Sequence, residues 1–537
     1  MIHLKIDHTD IQVIEGTTVL EAARMAGIHI PSMCHLKGYG NHPSCMVCVV
    51  KDNKTQAIIA SCSITVTEGM DIIAGDEEVR NARRQALELL LSDHVGDCEA
   101  PCSLGCPAGM NIPLMNRLIG EGRFTDALTV VKEDIALPYV LGYICPAPCE
   151  KACRRKQVDE AVSICTLKRF SAAAGNDLAA AAVAQKRNED GFLSGKRVAI
   201  IGSGPAGLAA AYYLLRFGHA CDVFEKSAEA GGTLRYSIPE NELPKDIVDH
   251  EVNLIQSMGA KLFSNTTVTE EFFQNRIKGI YDAVVIATGD ISSNNHLNQV
   301  ATQTKSGFEV NEKNMSASVP GIFVCGSAIR PHKMAVRSGA QGKTAALAVH
   351  HYLQAASYEK PAKMFNSRFD KLFPDEISEY LKEASKSNRV VPGTPLKEGF
   401  ANDEAIREAL RCMHCDCRKQ DNCSLRIFSD EYQIDRKRYM VGERKAMSKQ
   451  MQHDLVIYEP EKCIKCGLCV AISTSHGEKC GLAFEGRGFD VVIRSPAGAD
   501  FNESLTHTAV MCANSCPTGA LALRDRYAAI YSKKEAK

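Results

Sequence analysis

The chain has 537 residues, which is enough for three or four domains of about 150 residues each. Its composition, 45% hydrophobic and 24% charged, is that of an ordinary globular protein with several cores. Lys and Arg (63) balance Asp and Glu (64), which argues against a nucleic-acid or membrane-surface role. There is no apolar run of 18 residues and no apolar core of a signal peptide at the start, so we expect a cytoplasmic protein without a membrane span.

Cysteine is the most informative residue type in this sequence. The chain contains 23 cysteines, and 21 of them fall in or near four groups whose spacing suits iron–sulfur clusters. In a reducing compartment, CxxC groups indicate metal ligands rather than disulfides. The sequence therefore predicts a protein whose cysteines serve metal binding and electron transfer.

The N-terminal segment, 1–75, predicts a 2Fe-2S domain. Alternating apolar residues suggest a hairpin that turns at Gly16, followed by a helix that Thr17 or Thr18 caps. The spacing C-x10-C-x2-C-x13-C then resembles the 2Fe-2S domain of the large iron–sulfur subunit of complex I and of multisubunit hydrogenases. That resemblance implies a β-grasp fold, although Ser44 stands where the family usually has Gly. A zinc site or unrelated thiols are the alternatives. The four expected ligands are Cys34, Cys45, Cys48 and Cys62.

The next segment, 76–190, predicts a helical domain with two 4Fe-4S clusters. An amphipathic helix leads to His94 and Cys98 in a spacing similar to that of the complex I subunit. The stretches CEAPCSLGCPAGMNIP and ICPAPCEKACRR instead resemble the two-cluster domain of the glutamate synthase small subunit and of dihydropyrimidine dehydrogenase. That resemblance implies one cluster on Cys98, Cys102 and Cys153, and another on Cys106, Cys145 and Cys149.

Each of these two clusters lacks one ligand of the family pattern. His94 lies where the family has a further cysteine, so we expect it to bind the first cluster. Lys168, a poor ligand because its ammonium is protonated, occupies the position of a family Gln or Glu. Cys165, about one helical turn earlier, is the expected replacement. The alternatives are a surface histidine that caps the helix and a small core cysteine.

Residues 195–355 predict a Rossmann-like FAD domain. The sequence VAIIGSGPAGLAAAYYLL reads strand, glycine turn and helix, and an acidic residue follows the second strand to bind ribose hydroxyls. The later stretches EAGGTLRYSIPENELPK, YDAVVIATGD and SVPGIFVCGSAIR resemble FAD segments of glutamate synthase small subunits, with Ser327 in place of the usual acid. The expected FAD residues are Gly202, Gly204, Pro205, Ala206, Gly207, Glu225, Lys226, Gly232, Thr233, Arg235, Thr288, Gly289, Gly326 and Ser327.

The nicotinamide-binding insert of that family is missing. In the family, a second Rossmann unit separates the ATG strand from the closing strand. Here the stretch between Gly289 and Val319 is too short, because a βαβ core alone needs about 30 residues. We therefore expect that NAD(P)H bound in this chain does not reduce the flavin.

The remaining residues predict two further cluster sites. Segment 356–450 is a connector with a Cys-rich motif for one 4Fe-4S cluster, and zinc is the alternative. Segment 451–537 resembles a two-cluster bacterial ferredoxin, in which the fourth ligand of each cluster comes from the opposite motif. The second site would need Thr506, Ala509, Cys512 and Ser473, so its cluster should be lost. The expected ligands are Cys412, Cys415, Cys417 and Cys423 for the connector, and Cys463, Cys466, Cys469 and Cys516 for the ferredoxin-like domain.

Together these segments predict a multidomain α/β and α+β protein with FAD, one 2Fe-2S cluster and about four 4Fe-4S clusters. The predicted function is an electron-transfer subunit of a cytoplasmic oxidoreductase complex. Its expected partner is a complex I-like subunit that binds NADH and FMN, or a ferredoxin. The alternatives are a self-sufficient FAD enzyme that acts on NAD(P)H or a small molecule, and a non-redox scaffold with structural clusters.

Overall fold

The computed structural model describes residues 1–40, 43–186, 193–290, 297, 299–368, 371–393, 399–440, 442, 444–449 and 453–525. These residues form two compact units. The first unit comprises Met1–Glu99, Lys363–Lys382 and Cys415–Lys537, and the second comprises Ala100–Ala362 and Glu383–His414. The predicted connector, 356–450, is thus divided between the two units.

The first unit begins with a five-stranded mixed sheet that has the expected β-grasp form. Strands β1 and β2 form a hairpin, but it turns at Asp7 and His8 rather than at Gly16 as predicted. Strand β1 also pairs with β5 in parallel. The strand order is β2-β1-β5-β3-β4. Thr18 caps the first helix by accepting a hydrogen bond from the Glu21 amide, so the second of the two cap candidates is used. The elements are β1 Ile2–Ile6, β2 Thr9–Val13, α1 Val19–Met25, β3 Val49–Asp52, β4 Ile58–Ala60, β5 Met70–Ile73 and α2 Glu77–Ser92.

The second unit begins with a helical segment. Its helices are α3 Pro101–Gly105, α4 Ile112–Gly120, α5 Phe124–Asp134, α6 Pro138–Ile144, α7 Pro148–Lys151, α8 Ile164–Ala174 and α9 Leu178–Lys186. Helices α6 and α8 pack closely because Gly142 has no side chain, and a Cβ there would lie 2.4 Å from the Cβ of Arg169. The small residue at this contact lets the backbones of the two helices approach each other closely.

A parallel five-stranded sheet follows in the same unit. Its order, β10-β9-β6-β7-β8, is the order of a doubly wound dinucleotide-binding fold. Helix α10 packs against α14, where a Cβ on Gly342 would lie 2.3 Å from the Ala206 carbonyl oxygen. The elements are β6 Arg197–Ile201, α10 Pro205–Arg216, β7 Ala220–Phe224, α11 Thr233–Tyr236, α12 Lys245–Ser257, β8 Lys261–Phe263, α13 Glu270–Phe272, β9 Ala283–Ile286, β10 Ile322–Val324 and α14 Ala335–Leu353.

The C-terminal residues return to the first unit, except for α16, which belongs to the second. Two short antiparallel pairs, β11 with β14 and β12 with β13, flank helices α18 and α20, whose apolar faces form one core. The elements are α15 Pro374–Leu381, α16 Asn402–Ala409, α17 Ser424–Glu431, β11 Val456–Tyr458, α18 Leu468–Ser475, β12 Ala483–Glu485, β13 Val492–Arg494, α19 Phe501–Ser504, α20 Ala509–Ser515 and β14 Leu521–Leu523. No helix among the described residues is long and apolar enough to cross a membrane.

Candidate dinucleotide and cluster sites

A cavity of about 720 Å³ lies at the carboxyl ends of β6, β7, β9 and β10. This is the edge of a doubly wound sheet at which dinucleotides bind. Twelve of the fourteen residues expected to bind FAD line this cavity. They are Gly202, Gly204, Pro205, Ala206, Glu225, Lys226, Gly232, Thr233, Thr288, Gly289, Gly326 and Ser327.

The glycine turn after β6 fits a dinucleotide because each of its glycines has a separate steric role. Gly202 has a φ of +101°, and a Cβ there would lie 2.5 Å from the Ala287 carbonyl oxygen. A Cβ on Gly207 would lie 2.0 Å from the Gly202 carbonyl oxygen. A Cβ on Gly204 would meet no protein atom within 4 Å, so its surface is open toward the cavity. The turn thus leaves its backbone amides accessible to a pyrophosphate at the start of α10.

Glu225 is fixed at the wall of the cavity by its neighbours. One carboxylate oxygen accepts hydrogen bonds from the Ser203 amide (3.0 Å) and the Ser203 hydroxyl (2.5 Å), and the other accepts from the Ser227 amide (2.9 Å). Glu225 is only 4% exposed to solvent and still lines the cavity. A buried, oriented acceptor at the end of the second strand is what ribose hydroxyls require.

Two expected FAD residues do not line the cavity. Gly207 packs under the turn, as described above. The Arg235 guanidinium donates to the Ala230 carbonyl oxygen at 2.8 Å and pairs with Glu229 and Asp249, so it holds the loop rather than facing the cavity. Conversely, sequence reasoning missed Thr266, Thr267 and Val268 after β8, and His332 and Lys333 before α14, which all line it. No fingerprint marks these positions, and only their place beyond the carboxyl ends of strands could have suggested them.

The four N-terminal cysteines converge in the first unit. The Cys34 thiol contacts those of Cys45 and Cys62, and Cys48 also contacts Cys62. These hydrogen bonds lower the pKa of Cys34 well below its usual range and that of Cys48 to about 6. All four side chains are buried. The same thiol contacts raise the pKa values of Cys45 and Cys62. Four buried thiols that converge on one point fit a 2Fe-2S cluster.

A second set of four cysteines meets in the helical segment of the second unit. Cys106, Cys145, Cys149 and Cys165 line one small cavity. Gly105 allows the end of α3 to approach α7, since its Cβ would lie 3.0 Å from that of Ala152. The Lys168 ammonium lies 3.8 Å from the Cys165 sulfur. Burial alone would lower the pKa of Lys168, but the four thiols outweigh it and raise the pKa. Lys168 therefore compensates thiolate charge, and Cys165 stands where the sequence expects the fourth ligand.

The remaining cysteines are grouped differently from the expectation. In the first unit, Cys98 lies beside Cys417, whose amide donates to the Cys98 carbonyl oxygen at 3.1 Å. In the second unit, Cys412 lies near Cys153 and hydrogen-bonds with Asn116, and Cys102 lies in α3. The sets expected from the sequence, Cys98 with Cys153 and Cys412 with Cys417, each combine cysteines of both units and stay predictions. Cys415 lies in the loop after Cys412.

The ferredoxin-like cysteines form a further group in the first unit. Burial first, and then the thiolate charge of Cys516, raises the pKa of Cys463 to about 11. The same two causes, with Cys463 and Cys466, raise the pKa of Cys469 well above its usual value. The four expected ligands are thus close enough to interact strongly. Among the described residues, no three His, Cys, Asp or Glu side chains are arranged as ligands of a single metal ion, whereas a cluster distributes its ligands over several irons.

The position of the second ferredoxin cluster is filled by protein. The Glu478 carboxylate accepts hydrogen bonds from the amides of His507 (3.0 Å) and Thr508 (2.8 Å) and from the hydroxyls of Thr506 (2.6 Å) and Thr508 (2.7 Å). Burial alone would raise the pKa of Glu478, but these bonds outweigh it and lower the pKa to about 2. The Ser473 hydroxyl accepts from the Leu482 amide at 3.1 Å. A polar network therefore occupies the place where the sequence predicts a lost cluster.

Two neighbouring cysteines should respond differently to substitution. Cys512→Ala should leave the C-terminal cluster intact, because the Cys512 thiol points to the Cys469 carbonyl oxygen at 3.7 Å. Cys516→Ala should destroy it, because Cys516 interacts with Cys463, Cys466 and Cys469. Low-temperature EPR of the reduced variants, with iron analysis, checks both. Equal loss of the signal in both variants would show that the assignment of Cys516, and not Cys512, as a ligand of this cluster is wrong.

Three domain families match parts of the chain. Residues 1–76 match the 2Fe-2S iron–sulfur cluster binding domain, and residues 78–178 match dihydropyrimidine dehydrogenase domain II with its 4Fe-4S cluster. Residues 200–266 match the NAD(P)-binding Rossmann-like domain. The chain thus combines iron–sulfur cluster binding domains with a Rossmann-like dinucleotide-binding domain. The fold class and the family resemblances predicted from the sequence are confirmed.

The curated relatives carry names of oxidoreductases. The chain is 39% identical over 207 residues to the NADP(+)-dependent formate dehydrogenase subunit beta of Moorella thermoacetica. This match covers 35% of this chain and 29% of that protein. It is 37% identical over 192 residues to the NADPH-Fe(3+) oxidoreductase subunit beta of Geobacter sulfurreducens, a match that covers 35% of this chain and 28% of that protein. It is 38% identical over 187 residues to the glutamate synthase [NADPH] small chain of Bacillus subtilis, a match that covers 34% of this chain and 37% of that protein. The matches span less than two fifths of each of these relatives.

Proposed function

We propose that the chain is an electron-transfer subunit that carries electrons between FAD and an array of one 2Fe-2S and four 4Fe-4S clusters. A flavin exchanges two electrons with a reactant, whereas each cluster carries one. A protein that holds both can join a two-electron reaction to a one-electron chain. The observation that carries this proposal is the presence of convergent thiol groups in both units and of a glycine-lined cavity in the second.

The first unit supports a continuous path from the 2Fe-2S group to the C-terminal group. Burial raises the pKa of Cys466, and the charges of Cys516, Cys463 and Cys34 add to this effect. Cys34, of the N-terminal group, and Cys466 also belong to one apolar cluster with Ile464. Electron tunnelling slows steeply with distance, so thiol groups that interact electrostatically suit rapid transfer.

The stretch before β10 supports transfer rather than hydride uptake from NAD(P)H. Residues 291–296 and 298 lie outside the described residues. Among the described residues from 299 to 319, strand-like backbone pairing is limited to isolated β-bridges, such as those of Gln303 with Phe308 and Asn311 with Ser316. Hydride transfer needs the nicotinamide held over the flavin, and a nicotinamide-binding domain supplies that proximity in the resembled family. The FAD of this chain would then exchange electrons through clusters.

The partner we propose is a flavoprotein that oxidises NADH, similar to the NADH- and FMN-binding subunit of complex I, or a ferredoxin. Two of the relatives are named as subunits, which supports a role inside a larger redox assembly. The 2Fe-2S domain is the proposed entry or exit point, because its family resemblance is to domains that face such partners.

The test is stopped-flow bleaching of the bound flavin under anaerobic conditions. NADH or NADPH alone should bleach the flavin of the isolated chain only slowly. Addition of catalytic amounts of an NADH-oxidising flavoprotein should accelerate bleaching by at least tenfold. Bleaching by NADPH alone at rates typical of enzyme turnover would contradict the proposal and favour the self-sufficient enzyme. Absence of both iron and flavin from the anaerobically purified chain would favour the structural scaffold.

A further inference from the structure

We propose that His94, Cys98, Cys417 and Cys423 together hold one 4Fe-4S cluster in the first unit. This site joins two segments that lie more than 300 residues apart in the sequence, and it replaces the set of Cys412, Cys415, Cys417 and Cys423 expected from spacing. The inference rests on the proposed function in one respect, namely that the chain carries clusters.

Backbone hydrogen bonds fix Cys98 against the two distant segments. The Cys417 amide donates to the Cys98 carbonyl oxygen at 3.1 Å, and the Cys98 amide donates to the Ser367 carbonyl oxygen at 3.1 Å. The Ser367 amide in turn lies 3.4 Å from the Cys98 sulfur. Amide donors to a ligating sulfur are a regular feature of iron–sulfur sites, where they stabilise negative charge.

Cys417 and Cys423 approach Cys98 from the loop before α17. The Cys423 thiol lies within electrostatic range of those of Cys417 and Cys98. The Cys98 thiol lies within the same range of Cys417. Gly519 makes room for this loop, since a Cβ there would lie 2.2 Å from the Cys417 sulfur. The Ser424 amide then donates to the Pro517 carbonyl oxygen at 2.8 Å, which holds the start of α17 in place. Three buried thiols are thus within electrostatic reach of one another.

His94 is the fourth ligand that the surroundings favour. It follows the end of α2, and its Nδ1 atom is shielded from solvent and has no hydrogen-bond partner within the part of the chain that the structure describes. A buried ring nitrogen without a partner is costly unless a metal or a proton donor binds it. An unprotonated Nδ1 atom in this position can bind a metal.

Lys462 places the histidine and the thiols around the same point. A Cβ on Gly96, between His94 and Cys98, would lie 2.6 Å from the Lys462 Cε atom. The Val95 amide donates to the Glu461 carbonyl oxygen at 3.0 Å. A Cβ on Gly519, which would lie 2.2 Å from the Cys417 sulfur, would lie 3.8 Å from the Lys462 Cδ atom. The Lys462 ammonium pairs with the buried Glu459 carboxylate at 2.6 Å. The Lys462 side chain thus runs between the His94–Cys98 segment and the Cys417 loop.

Cys412 has partners of its own in the second unit. Cys412 hydrogen-bonds with Asn116 and interacts with Cys153, and both partners lie in its own unit. The Cys423 thiol, in contrast, interacts with Cys516 of the C-terminal group. The proposed cluster is therefore close to the C-terminal group, and Cys423 also packs in one apolar cluster with Cys34 and Cys45 of the 2Fe-2S group.

Iron content cannot separate the two groupings, because both use five sites and about 18 irons. EPR of single variants can. Cys98→Ala and Cys417→Ala should each remove the same reduced-state 4Fe-4S signal, with a loss of about four irons. Cys412→Ala should remove a different signal, the one that Cys153→Ala also removes. If Cys412→Ala and Cys417→Ala remove the same signal while Cys98→Ala spares it, the proposal is overturned.

Pulsed EPR of the unmodified protein tests His94 without any risk of misfolding. One 4Fe-4S signal should show coupling to an imidazole nitrogen, and His94→Cys should remove that coupling, keep the iron and lower the potential of the cluster. A full set of cluster signals without nitrogen coupling would refute histidine ligation. In either case the proposed function stands if the flavin is still reduced through the partner. A chain that loads no clusters would overturn both.

Discussion

Replacing Gly207 with alanine should destabilise the whole FAD domain, whereas Gly204→Ala should leave the fold intact and weaken FAD binding. A Cβ at position 207 would lie 2.0 Å from the Gly202 carbonyl oxygen, and neither backbone can retreat because β6 is the centre of its sheet. Overpacking of this kind costs about 1–3 kcal/mol or more. A Cβ at position 204 meets no protein atom within 4 Å, and its φ of −70° suits alanine.

The effect of Gly204→Ala should therefore appear as weaker FAD binding and not as lower stability of the FAD-free protein. We expect at least tenfold weaker binding, about 1.4 kcal/mol, because the new methyl group occupies space that the pyrophosphate needs. Gly339→Ala is the matched control, since its Cβ would lie 4.0 Å from that of Ala209, an ordinary contact. Thermal unfolding and flavin fluorescence titration measure the two effects. Unchanged FAD affinity in Gly204→Ala would show that the dinucleotide does not cross this turn.

Arg411→Met should unfold the region that carries Cys412 and release its cluster. The Arg411 side chain is fully buried and donates to Glu408 (2.8 Å), Asp159 (2.9 Å) and the Glu160 carbonyl oxygen (2.8 Å). Removal of one partner from a buried ion pair costs about 3–5 kcal/mol, because it leaves an uncompensated charge. Cys412 is the next residue, so its sulfur should move with the chain.

Arg407→Ala, on α16 one turn before Arg411, is the control. Arg407 pairs with Asp403 at 3.3 Å on the surface, with side chains 60% and 76% exposed, and such pairs contribute about 0–1 kcal/mol. Denaturant unfolding should therefore separate the two variants clearly, and iron analysis should show a loss of about four irons only in Arg411→Met. Equal stability of both variants would mean that the buried network does not anchor Cys412.

Local patterns predicted the Rossmann-like domain and the N-terminal cysteine group well. The glycine fingerprint and the C-x2-C loop are short-range features, and the sheets that carry them form from alternating or continuous apolar runs. The sequence also showed that Lys168 replaces a family ligand and that Cys165 lies nearby, because both residues lie on one face of α8. That Arg235 does not line the cavity could not be foreseen, since its acidic partner Asp249 lies on a later helix.

The pairing of Cys98 with Cys417 could not be found from spacing. Four thiolates within twelve residues suggest one cluster when only sequence separation is considered, but the loop after α16 divides between two compact units. Which unit each cysteine joins depends on buried contacts such as Arg411 with Asp159, which are not encoded in any motif. The Glu478 network was missed for the same reason, because its partners Thr506 and Thr508 come from a separate loop.

In the proposed function, electrons reach the flavin through the 2Fe-2S domain. The most direct measurement compares the unmodified chain with Cys48→Ala, whose 2Fe-2S site loses one of four convergent thiols. With NADH and a catalytic NADH-oxidising flavoprotein, stopped-flow absorbance should show flavin bleaching in the unmodified chain and at least tenfold slower bleaching in Cys48→Ala. Dithionite should bleach the flavin of both. Equal bleaching rates with the partner would contradict this route.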